Sequence, residues 1–188
     1  MPLAAGKLRE QPLEGPITLK RSMAPAGSSD ATLLILGSLP GEASLKAQRY
    51  YAHPQNQFWR LLGQAIGEEL GTMPYENRID RLAVRRIVLW DVVGEASRSG
   101  SLDAAIRDAT PNQLRDYAAT HPNLVAIAFN GKTAARIGRG ALGELSGVEF
   151  IDLPSSSPAF TLSFQEKAKR WIALGTLAWA PEAATLGQ

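Results

Sequence analysis

Cysteine is absent from the 188 residues, and histidine occurs only twice, at His53 and His121. Without cysteine there are no disulfides, no thiolate-held zinc, no iron–sulfur cluster and no thiol nucleophile. Two histidines are too few for a histidine-rich metal site, so neither a metal nor a cofactor is expected. An excess of one charge is also missing: 20 Lys and Arg against 18 Asp and Glu leave a net +2. That balance permits a nucleic-acid partner without arguing for one. No apolar run approaches the roughly 20 residues of a membrane span, and the first 31 residues hold no apolar core of signal-peptide length. The expectation is a cytoplasmic monomer without membrane contact. Its chemistry must come from Asn, Asp, Glu, Ser, Tyr, one histidine or the backbone.

The length suits one compact domain that buries about 70% of the unfolded chain's surface. Residues 1–30 are rich in proline and glycine, with little periodicity, and read as a partly irregular arm. The domain is expected over 31–180, with a short tail over 181–188.

Four short apolar runs stand out: Thr32–Leu36, Ile87–Val93, Leu124–Phe129 and Val148–Leu153. Most lack strict alternation, which suits strands buried on both faces of a parallel sheet. Helical patterns lie between them, at Gln57–Ile66 and Tyr75–Val84. Thr110-Pro111-Asn112-Gln113 reads as a helix start with proline at the first helical position. Ser163-Phe164-Gln165-Glu166 is a capping box opening a last helix through about Ala178. The alternation predicts an α/β fold, three layers α/β/α around a central, mainly parallel four-stranded sheet.

In such sheets ligands bind at the carboxyl ends of the strands. Those ends read Gly37-Ser38-Leu39-Pro40-Gly41, Asp91-Val92-Val93-Gly94, Asn130-Gly131-Lys132-Thr133 and Pro154-Ser155-Ser156-Ser157-Pro158. Any one of them could be an ordinary turn; four small or polar ends suggest one functional rim. Asn130–Thr133 is not a phosphate-binding P-loop, because Ala126 stands where its first glycine belongs. It retains a lysine, Lys132, at a helix start, a modest phosphate site. The serine run lacks the Gly-x-Ser-x-Gly elbow of a hydrolase nucleophile. Its hydroxyls suit gripping phosphates or a minor groove, or a purely structural turn. His53 and His121 both precede proline and read as loop residues.

The densest segment is Tyr50-Tyr51-Ala52-His53-Pro54-Gln55-Asn56-Gln57-Phe58-Trp59. Adjacent tyrosines offer flat faces, and three amides both donate and accept hydrogen bonds. Aromatic faces with amides suit a pocket for a flat heterocycle.

The Gly37–Gly41 loop, the His53–Trp59 motif twelve residues later and the Leu153–Pro158 loop together resemble the uracil-DNA glycosylase superfamily. The likeness is greatest to its mismatch-specific uracil/thymine and hypoxanthine branches and runs from about Leu33 to Leu174. It implies an enzyme that flips a deaminated or mismatched base out of DNA and hydrolyses its N-glycosidic bond. It also implies that the first loop holds the attacking water and that Tyr51 stacks on the flipped base. Ser155, Ser156, Ser157 and Pro158 would grip the DNA, with Lys132 nearby. Relatives carry Asp or Asn in the first loop to position water, where this chain has Leu39. In the hypoxanthine branch the asparagine of the His-Pro-x-Asn motif is thought to act instead, which points to Asn56, with Ser38 as a second candidate. The base pocket would be formed by Leu39, Tyr51, Asp91 and Asn56, with an ionised Asp91 accepting from the ring N–H of uracil or hypoxanthine. The usual minor-groove wedge is replaced by Ser157, Pro158 and Ala159, leaving Pro158 or Phe160 to fill the gap.

DNA contact is expected from Lys46, Arg49 and Arg60, from Lys132 and Arg136, and from Lys167, Lys169 and Arg170. Arg78, Arg81, Arg85 and Arg86 read as a solvated helix face. Competing classes are a damaged-DNA binding module of the same fold without turnover, and an unrelated α/β hydrolase.

Overall fold

The structure, a computed structural model, describes residues 16–178. Residues 1–15 of the expected arm and the whole expected tail lie outside the described residues.

Four strands form the parallel sheet that the apolar runs foretold: β3 (Leu33–Gly37), β4 (Ile87–Asp91), β7 (Ala126–Asn130) and β8 (Glu149–Leu153). A fifth, two-residue strand, β2 (Ala26–Gly27), pairs antiparallel with the outer edge of β4, giving the order β2-β4-β3-β7-β8. Part of the segment read as an irregular arm is thus built into the sheet. A second, antiparallel sheet in the order β1-β5-β6 has no counterpart in the sequence reading. It joins β1 (Thr18–Arg21), β5 (Val93–Arg98) and β6 (Arg107–Pro111). Thr110 and Pro111 therefore end a strand rather than open a helix, and α4 starts later, over Leu114–Ala119.

Alternate residues of each central strand face opposite layers. Leu33 and Ile35 pack with α2 (Phe58–Ile66), α3 (Tyr75–Val84), α6 (Phe164–Trp171) and α7 (Leu174–Leu177). Leu34 and Leu36 pack with α4, α5 (Lys132–Leu142) and strand β5. The capping box at Ser163 forms, its hydroxyl accepting from the Glu166 N–H at 3.2 Å. The last helical stretch is divided between α6 and α7 rather than continuous.

Chain order and spatial order diverge at β3, since β4 lies on one side of it and β7 on the other. That is the switch point of the sheet, and in open α/β sheets ligands bind in the crevice outside the strands' carboxyl ends at this point. There β3 ends at Gly37, β4 at Asp91 and β7 at Asn130.

Among the described residues no helix is long and apolar enough to cross a membrane.

Candidate active site

The floor of the crevice is Gly37. A Cβ built there would lie 2.7 Å from Asp91 Oδ1 and 3.0 Å from the Tyr51 hydroxyl oxygen. Only a glycine lets both groups approach the end of β3 so closely. Tyr51 has a left-handed backbone, φ 54°, uncommon for an aromatic residue. Its ring stacks on Phe58, with centroids 3.7 Å apart and planes within 8°. Phe58 is held edge-on by Trp59 and Trp171. The two indole N–H groups secure the rim's backbone: Trp59 donates to the Tyr50 carbonyl and Trp171 to the Pro154 carbonyl.

The Tyr51 hydroxyl is buried beside the Asn130 side chain but makes no hydrogen bond of good geometry among the described residues. Burial, reinforced by the charge of Asp91, pushes its pKa far above the usual tyrosine range, so it is a fixed donor. Asp91 is buried at the end of β4, and burial pushes its carboxyl up to about 7. The Ser22 hydroxyl, 3.1 Å from Oδ2, opposes that shift by donating to the carboxylate. The sequence reading assumed a simply ionised Asp91; near neutrality it holds both protonation states.

Asn56 lies at the crevice, half-buried. Its side-chain oxygen, expected to hold water, accepts from the Phe58 N–H at 3.0 Å instead. Its amide NH2 keeps both donors free among the described residues. Leu39 is the clear departure: its side chain is 5% exposed and packs in the core with Val92 and Val93. It does not line the pocket as expected, because it faces the sheet layer opposite Tyr51; its carbonyl instead accepts from Arg98 at 3.2 Å.

The serine loop is tied to the end of β7. The Asn130 amide donates to Ser156 Oγ at 2.9 Å, and the Ser156 N–H donates to Asn130 Oδ1 at 2.8 Å. Ser156 is fully buried, so its hydroxyl does not face DNA as expected. Its carbonyl accepts from the Gln57 N–H at 3.0 Å, linking the loop to the start of α2. Ser155 and Ser157 are half-buried and Pro158 is exposed. Gly131, with φ 102°, passes close to Ser155. Lys132 stands exposed at the start of α5.

Lys167 departs from its expected role as a DNA contact. It is buried, donates to the Ser157 carbonyl at 3.3 Å, and holds its ammonium 5.4 Å from the Phe160 ring centroid. Phe160 itself is 40% exposed. The arginines expected on one solvated helix face are not simply solvated: Arg81 of α3 and Arg85 just after it converge on Glu68, and Arg86 pairs with Asp30. His53 is exposed and accepts from the Gln55 N–H; His121 stacks on Tyr117. His121 Nδ1 lies 2.9 Å from the Tyr117 carbonyl.

The profile of the uracil DNA glycosylase superfamily matches residues 24–178. The chain belongs to the uracil DNA glycosylase superfamily. It is a DNA glycosylase, a hydrolase of the N-glycosidic bond. Two relatives from Methanosarcina are described as hypoxanthine DNA glycosylases. That of Methanosarcina barkeri is 38% identical over 152 residues, covering 81% of this chain and 95% of the relative. That of Methanosarcina acetivorans is 39% identical over 156 residues, covering 83% and 98%. A solution NMR structure from Methanosarcina acetivorans, described as a uracil DNA glycosylase, superposes with a TM-score of 0.76. It is 38% identical and is covered completely, over 86% of this chain.

Against that family background three side chains that the sequence does not single out bear on the site, Asp103 by accepting from the Ser38 hydroxyl at 2.5 Å. They are Asn130, which organises the serine loop, and the pair Arg98 and Asp103. Asn130 carried a signal, since it closes a strand otherwise buried and apolar throughout. Arg98 and Asp103 sit on the unforeseen second sheet and its following turn, and carried none.

Proposed function

We propose that this glycosylase removes hypoxanthine from DNA, with uracil, which shares its amide-like ring edge, as a second substrate. The observation that carries this reading is the convergence of the unpartnered Tyr51 hydroxyl and the Asp91 carboxyl on one point beside Gly37. A buried hydroxyl left without a partner costs stability unless a ligand satisfies it. Tyr51 donates to the carbonyl of the flipped base, and ionised Asp91 accepts from the neighbouring ring N–H. Adenine fails both halves of this test, lacking the carbonyl and the ring N–H, while guanine offers both and is set apart only by the added amino group beside its ring N–H. The description of both Methanosarcina relatives as hypoxanthine enzymes supports the same substrate.

Cleavage leaves a cationic sugar and an anionic base, so the site needs aimed donors and a held water rather than a strong nucleophile. Asn56 supplies amide donors to the departing base, and Ser38 holds the water. Ser155, Ser157, Pro158 and Lys132 meet the DNA backbone, and exposed Phe160 occupies the gap left by the flipped nucleotide. The protein acts as a monomer inside the cell, where its substrate is.

Duplexes carrying a single hypoxanthine, uracil or mismatched thymine, incubated with the protein and then treated with alkali, test this reading. Scission at hypoxanthine, slower scission at uracil and none at normal bases are expected. Tyr51→Phe should lower single-turnover cleavage by about 100-fold, the scale of one lost transition-state donor. Retention of the damaged duplex in a gel shift without scission would favour a binding module and overturn the proposal.

A further inference from the structure

Leu39 leaves the first loop without the carboxylate or amide that relatives use, yet a carboxylate does reach this loop from elsewhere. Ser38 Oγ donates to Asp103 Oδ1 at 2.5 Å, across 65 positions of sequence. Asp103 opens a single 3-10 turn, Asp103–Ala105, between β5 and β6. Arg98, on β5, is fully buried beneath the same loop and donates to the carbonyls of Leu39 and Pro40. The second sheet therefore grips the first loop from below: Arg98 holds its backbone, and Asp103 holds its one hydroxyl. Ser101 adds a third tie, its hydroxyl accepting from the Glu42 N–H at 2.9 Å.

We infer that Asp103 is the positioning residue for hydrolysis, acting through Ser38: Ser38 accepts a proton from the attacking water while passing its own to Asp103. The inference rests on the glycosylase reading of this crevice. The glycosidic C1′–N bond breaks and its electron pair leaves with the base. The water oxygen bonds to C1′. One water proton moves to Ser38 Oγ, and the Ser38 hydroxyl proton moves to Asp103 Oδ1. The products are an abasic sugar, a base anion and a neutral Asp103, which returns its proton to solvent.

The hydrogen-bond direction supports this assignment. Ser38 has one proton, committed to Asp103, so its oxygen is left to accept from water. Burial raises the Asp103 pKa, making its carboxylate a better proton acceptor than a solvated one; the Ser38 bond and the Arg98 charge oppose the rise. The groups facing it are Ser38 from the loop after β3, Arg98 from β5 and Thr133 from α5. Its charge is also felt by Asp91 and Tyr51, and Glu42 acts on Arg98. A purely structural Asp103 would need only to neutralise Arg98.

Single-turnover release of hypoxanthine, followed from acid to alkaline pH, separates these roles. Asp103→Asn should slow cleavage by about 100-fold at the alkaline end. The ratio of wild-type to variant rate should shrink as pH falls, because protonation disables only the wild type. A ratio independent of pH, or near unity throughout, would overturn the inference. Asp103→Asn removes the largest of the opposite charges acting on Arg98 and thereby perturbs the fold as well, so Ser38→Ala provides a second arm that leaves both charges in place. It should show the same pH-dependent loss while binding the damaged duplex normally. A rate within about threefold of wild type in Ser38→Ala would equally overturn the proposal. Failure of the wild type to release any base would instead sink the glycosylase reading, and this inference with it.

Discussion

Asn130 and Ser156 exchange two hydrogen bonds, 2.9 and 2.8 Å long, with both residues buried. This pair joins the end of β7 to the loop after β8, beside the Tyr51 hydroxyl. Because both partners are buried, water does not readily replace either one. Removing one side leaves the other side's polar atoms orphaned.

Asn130→Ala strands both the Ser156 N–H and its hydroxyl. Leaving buried polar groups unpaired costs about 1–3 kcal/mol each. We expect urea denaturation to report a loss of about 3 kcal/mol. The damaged-DNA affinity should fall as well, since the loop carrying Ser155, Ser157 and Pro158 loses its anchor. A variant with wild-type stability would show that the pair is not the anchor.

Gly37→Ala tests the close approach at the crevice floor. The new methyl would sit 2.7 Å from Asp91 Oδ1 and 3.0 Å from the Tyr51 hydroxyl, distances that force one of them aside. The backbone at Gly37 is an ordinary strand with no positive φ, so the helix and sheet framework should survive. Circular dichroism should be unchanged while base release drops by about 100-fold or more, as expected when a site's aimed donor is displaced. Wild-type turnover would mean that the base does not seat against β3.

Much of this architecture was legible because the central strands are short, apolar and buried on both faces. Leu33–Leu36 and Ala126–Phe129 needed no knowledge of their partners to read as parallel strands. The second sheet was not legible for the opposite reason. Its strand β6, Arg107–Pro111, is exposed throughout and contains proline, so it has neither apolar runs nor alternation. Thr110-Pro111 then imitated a helix start. The site divided along the same line. Tyr51, Asp91 and Asn56 lie within or beside recognisable motifs. Asp103 does not, because its role depends on a hairpin returning beneath a loop 65 positions earlier. Leu39 and Ser156 shared motif segments with exposed residues, and only packing distinguishes the inward side chain from the outward one.

Lys132 and Arg136 are exposed on consecutive turns of α5, beside the serine loop. Neutralising a duplex phosphate contributes about −0.9 to the log–log salt slope of binding. Lys132→Ala should therefore make the slope shallower by about 0.9, with similar loss on damaged and undamaged duplexes. Arg81→Ala serves as the contrasting variant, since Arg81 is engaged with Glu68, and its slope should match wild type. Equal slopes for Lys132→Ala and wild type would remove Lys132 from the DNA interface.

Asp91 gives the protein a pH-dependent stability whose sign is opposite to that of a salt-bridged carboxylate. Burial raises its folded-state pKa to about 7 from an ordinary value of 3.8. Between those values the folded state binds the proton more tightly than the unfolded chain does, so stability falls as pH rises through this window. Below the unfolded value there is no penalty; above about 7 the buried charge costs its full amount, a few kcal/mol on the scale of about 1.4 kcal/mol per unit. Asp91→Asn removes the titration and can still accept from Ser22 through its amide oxygen. The stability difference between variant and wild type should therefore move in the variant's favour from pH 4 to pH 8, as read by urea denaturation at each pH. Catalysis should move the other way, because the neutral amide cannot replace the ionised carboxylate as acceptor for the ring N–H without also presenting donors. A difference in stability that stays constant across this range would show that Asp91 keeps an ordinary carboxylate pKa in the folded protein.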